Sequence, residues 1–180
     1  MSITTLKLLL RAGALLAYWW LCLAVWTMDG NTVRACVPAL LVGVSLLFIW
    51  LGPITGALAM ILLGMSAEAL SQLPAGRLVF AAAVTGLVLL HLSRLQNWSP
   101  IGRGLLMSIV GAFLWVGLLA FFQTPADDLP EVWARIGRNS LNQSLLAGLY
   151  WLITATLGNG LRVVWKETAT RPVRFGTDYD

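Results

Sequence analysis

Leu51-Gly-Pro-Ile-Thr-Gly-Ala-Leu-Ala-Met-Ile-Leu-Leu-Gly-Met-Ser-Ala-Glu-Ala-Leu-Ser-Gln-Leu-Pro-Ala-Gly76 is an apolar run with one carboxylate, Glu68, set between two Pro/Gly punctuation points. The residue before a proline avoids the helical region, and proline suits a first helical turn. Gly52-Pro53 therefore predicts a very tight hairpin between two antiparallel helices. An ionisable group inside an apolar segment of this length is costly and needs a partner, a polar cavity or protonation. Glu68 is thus the first residue to explain.

Outward from this run, the 180 residues are 58% hydrophobic and 11% charged, with a mean hydropathy of +0.80. A soluble domain is nearer 45–50% apolar and about 25% charged, so the composition predicts an all-α polytopic membrane protein. Six spans are expected, at about 8–26, 35–50, 54–70, 78–92, 104–122 and 141–164, within a single membrane domain (1–167). A polar tail (168–180) follows. The second, third and fourth spans reach only about 24 Å as straight helices, short of a hydrocarbon core of about 30 Å. Lys7 and Arg11 ahead of an apolar run resemble a secretory signal, but no small-residue cleavage site follows, so an uncleaved first span is expected.

The basic residues orient the bundle. With both termini in the cytoplasm, the inside carries Lys7, Arg11, Arg94, Arg103, Arg162, Lys166, Arg171 and Arg174, and the outside only Arg34, Arg77, Arg135 and Arg138. That satisfies the positive-inside rule. The net charge of +4 forms no dense patch and accompanies no groove-reading motif, which argues against nucleic acid. Trp26, Trp50, Trp98, Trp133 and Trp165 fall near span ends, as an interfacial aromatic belt would place them. Trp19, Trp20, Trp115 and Trp151 lie deeper, where each indole N–H needs an acceptor.

On the third span, Gly56, Ala57, Met60, Gly64, Ala67, Glu68 and Ser71 share a sector of about 120°. Small residues on one face let another helix approach closely, so Gly52, Gly56, Gly64, Glu68, Ser71 and Arg77 are the candidate helix-packing or partner-docking face. For Glu68 the residues leave three roles open: an ion pair or hydrogen bond that fixes the hairpin, a polar docking point, or a ligand or proton site. Asp128, Trp133 and Arg135 belong to an expected outer interfacial loop with a short helix from about Pro130. Arg94 and Arg103 belong to a cytoplasmic basic loop suited to anionic headgroups or a partner. His91 stands alone, and Cys22 and Cys36 lack metal-ligand spacing. No nucleophile–base pair or phosphate cradle is evident, so no catalytic residue, metal or cofactor is expected.

Gly52-Pro53 with Gly56, then Gly64, the acidic Glu68, Ser71 and the Leu73-Pro74-Ala75-Gly76 exit resemble the rod shape-determining protein MreD family of bacteria. The resemblance covers residues 35–122 by motif and the rest by layout; the chain carries Glu68 where the family usually has Asp. It implies a non-catalytic inner-membrane scaffold of the cell-elongation machinery. Such a scaffold binds MreC and links MreB filaments, directly or indirectly, to the RodA glycosyltransferase and its class B penicillin-binding protein partner during lateral peptidoglycan synthesis. It also implies a six-helix bundle similar to the substrate-binding subunits of energy-coupling-factor vitamin transporters, with an outward cavity near Glu68. The alternative function is such a small-molecule-binding subunit, with Trp115 and Trp151 lining the pocket. Apart from proteins, membrane lipids are the expected partners.

Overall fold

A computed structural model of the chain describes residues 3–28, 30–70, 75–94, 98–123 and 129–169. All the secondary structure among them is helical: α1 (Ile3–Trp26), α2 (Gly30–Trp50), α3 (Pro53–Ala69), α4 (Arg77–Ser93), α5 (Pro100–Gln123) and α6 (Leu129–Ala169). Two stretches, Thr4–Trp26 and Pro100–Phe122, are long and apolar enough to cross a membrane, whereas α3 and α4 are shorter apolar helices.

The hairpin foreseen at Gly52-Pro53 is present. Leu51 and Gly52 alone separate α2 from α3. Gly52 sits at φ +101°, in the left-handed region that favours glycine, and Pro53 occupies the first turn of α3. The Leu51 N–H still donates to Leu47 O, and the Gly56 N–H reaches back to Gly52 O. One helix therefore closes and the next opens with few unpaired backbone groups.

Close approach then fixes α3 against both its neighbours. A Cβ on Gly56 would lie 2.2 Å from the Phe48 ring of α2, and one on Gly64 would lie 2.4 Å from Ala82 Cβ and 3.0 Å from Leu78 O of α4. Gly56, Met60, Gly64 and Ala67 are all buried, so the small-residue face turns inward.

The central helix is α2, which touches each of the other five. The Tyr18 hydroxyl of α1 donates to Leu40 O at 3.1 Å, and Ser108 of α5 donates to Ser45 Oγ at 3.1 Å. Around these bonds Leu40, Leu41, Val44, Met60, Leu63, Leu78, Leu89, Met107 and Trp115 form the core. Within the helices, Ser45, Thr55, Ser66 and Ser144 donate to the carbonyl four residues earlier, which satisfies hydroxyls placed among apolar neighbours.

At α6 the structure departs from the sequence reading. It is one unbroken helix of 41 residues, so the expected short helix from about Pro130, with Trp133 and Arg135, is its first part and is continuous with the last expected span. The single residues Gly137 and Asn139 weaken a helix without removing a backbone donor; only a proline would interrupt the ladder. The helix also continues to Ala169, past the expected start of the polar tail. Arg103 likewise belongs to α5 and not to a loop, because Ser99 accepts the Gly102 N–H at 3.1 Å and so caps a helix that opens on Pro100.

Candidate functional site

Helix α4 begins without a capping side chain of its own. Its N-cap is Gly76, in the left-handed conformation at φ +91°, and the first N–H groups of any helix lack intrahelical acceptors. Glu68, in the last turn of α3, supplies them. Its Oε1 accepts the Gly76 N–H and its Oε2 the Val79 N–H at 3.1 Å. A carboxylate at a helix N-terminus also interacts favourably with the helix dipole.

Arg77 performs the complementary task one residue later. Its Nη1 donates to Phe122 O at 3.2 Å, at the C-terminal end of α5, where carbonyls lack intrahelical donors and a cation is favoured. The two charged residues thus serve two different helix ends: an acid from α3 closes the start of α4, and a base from α4 closes the end of α5. Beside them the rings of Phe80, Phe122, Phe121 and Trp133 follow one another at 6.3, 5.6 and 5.9 Å, joining α4, α5 and α6.

Of the remaining candidates, Gly52 forms the turn at the opposite end of α3, while Gly56 and Gly64 face α2 and α4. Ser71 and Asp128 lie outside the described residues. Arg94 is the exposed C-cap of α4, and Arg103 Nη1 donates to Ser93 O at 3.1 Å, tying the start of α5 to the end of α4. His91 is exposed in the last turn of α4. Cys22 and Cys36 are both free thiols. Among the described residues no group of three or more His, Cys, Asp or Glu side chains gathers.

The opposite end of the bundle holds Trp151, one of the two tryptophans that the sequence offers as pocket residues. There an open groove runs between Leu46, Ile49 and Trp50 of α2, Ile101 of α5 and Thr154 of α6, with Trp151 at its base. The Trp151 ring lies over Gly104, where a Cβ would come within 1.9 Å of it, and its Nε1 donates to Ile101 O at 2.9 Å. Trp115, the other proposed pocket residue, is completely buried and does not line this groove. The signal for this arrangement was a glycine and a tryptophan on separate helices, 47 positions apart (151 less 104), and nothing local pairs them. Comparison of the chain with protein-family models, with curated proteins and with solved structures finds no match to any of them.

Proposed function

We propose that the chain is a polytopic inner-membrane scaffold of the bacterial cell-elongation machinery. In this reading it binds MreC and links MreB to RodA and its class B penicillin-binding protein. The reading rests on the resemblance of the Gly52–Gly76 segment to the MreD family. One structural observation supports its non-catalytic half: the Glu68 carboxylate is engaged by the backbone N–H groups of Gly76 and Val79. In that position it closes the start of α4 and builds a hairpin end.

A membrane setting is favoured by the outward faces. Leu8, Trp20, Ile54 and Leu145 are 67, 71, 75 and 69% exposed, on helices α1, α3 and α6, and lipid would cover large apolar side chains that water would not. In a bilayer, α3 and α4, with 17 residues each, would span about 25 Å, and the local hydrocarbon would thin to meet them. Helix α6, at about 60 Å, would extend beyond both faces.

The test is purification of the tagged full-length chain in mild detergent, followed by mass spectrometry of what accompanies it. Recovery of MreC, RodA and the penicillin-binding protein is the expected result. Recovery of energy-coupling ATPase subunits or a stoichiometric vitamin would replace the scaffold with the transporter-subunit reading.

A further inference from the structure

Helices α4 and α5 run antiparallel, and their register is fixed at three points: Arg77 to Phe122, Leu89 to Gly111, and Arg103 to Ser93. A Cβ on Gly111 would stand 3.3 Å from a Leu89 methyl group. One helical turn from that contact, Thr85 precedes Leu89 by four residues and Trp115 follows Gly111 by four. Residues four apart share a helix face, so the register sets Thr85 and Trp115 at the same level of the α4–α5 seam. Both are 0% exposed. Among the described residues, neither Thr85 Oγ1 nor Trp115 Nε1 has a hydrogen-bond partner.

An indole N–H can only donate, whereas a hydroxyl both donates and accepts. Two such groups buried in one seam and left unpaired would each incur a desolvation cost with no compensating bond. Buried waters characteristically satisfy polar atoms of this kind. We propose that one structural water bridges them, accepting from Trp115 Nε1 and hydrogen-bonding to Thr85 Oγ1. This makes a wet tie between α4 and α5 comparable to the direct Ser45–Ser108 tie between α2 and α5. The seam is then a water-binding site in the interior, specific for a small molecule that accepts and donates at once.

A double-mutant cycle on the full-length protein in mild detergent tests the bridge, with thermal unfolding as the readout. Thr85→Val is expected to lower the midpoint by roughly 2–4 °C, Thr85→Ser by less, and the double variant with Trp115→Phe by no more than Trp115→Phe alone. An unchanged or raised midpoint for Thr85→Val, or losses that simply add, overturns the bridge. If Trp115→Phe does not fold, a density map that resolves waters decides. A water within hydrogen-bond reach of both atoms supports the proposal, and a direct Nε1–Oγ1 bond or a dry contact overturns it.

Discussion

The two ends of the bundle are closed by different physics. At the Glu68 end, charged side chains serve helix termini: Glu68 accepts from the start of α4 and Arg77 donates to the end of α5. At the Trp50 end one charged tie, from Arg103 to Ser93 O at the end of α4, is joined by backbone geometry and a neutral indole: the Gly52-Pro53 turn, the Ser99 cap and Trp151 laid over Gly104. The first end is tied by groups that water can partly replace, since Arg77 is exposed. The second adds a buried indole to its arginine tie, and it leaves an open apolar groove. A lone carboxylate in an apolar run is therefore not by itself a sign of chemistry, because a helix that starts on glycine needs an acceptor from elsewhere.

Substitutions at four positions sharpen this contrast, beginning with the one that breaks the frame common to both ends. Gly64→Val forces a side chain against Leu78 O and Ala82, where backbone cannot yield, and is expected to cost about 3 kcal/mol, measured by thermal unfolding in mild detergent. Trp151→Phe removes the bond to Ile101 O while keeping most of the ring. It should cost about 1 kcal/mol, with faster amide exchange confined to the first turns of α5 and the adjoining part of α6. Glu68→Ala should give a smaller global loss, because water can take over part of its work at a terminus. Its local signature is faster exchange at Gly76 and Val79; Glu68→Gln, which retains one acceptor oxygen, falls between Glu68→Ala and the unaltered chain. Arg77→Ala should have the smallest effect, a local fraying of the last turn of α5 visible by exchange and barely by unfolding temperature.

What the sequence could disclose was local. Gly52-Pro53 and Gly76 mark helix boundaries because proline and glycine restrict or free the backbone at those positions, and the inward face of α3 follows from helical spacing. The partners of the charges were not legible. Glu68 and Arg77 are close in sequence and opposite in charge, which suggests a pair. Yet the acceptor of Arg77 is a carbonyl 45 residues away, at a helix end whose position depends on packing. The continuity of α6 was hidden for a related reason. Its polar first turns read as a separate short interfacial helix, but Trp133 packs against Phe121 and Ile136 is buried, contacts that hold the segment against the bundle in line with the rest of α6.

Amide hydrogen exchange on the Glu68→Ala chain in mild detergent tests most directly whether Glu68 is a helix cap. The expected result is accelerated exchange at Gly76 and Val79, with Gly102 and Arg103 at the Trp50 end unchanged. Unaltered exchange at Gly76 and Val79 would contradict it, and would free the carboxylate for the chemical role that its place in the sequence first suggests.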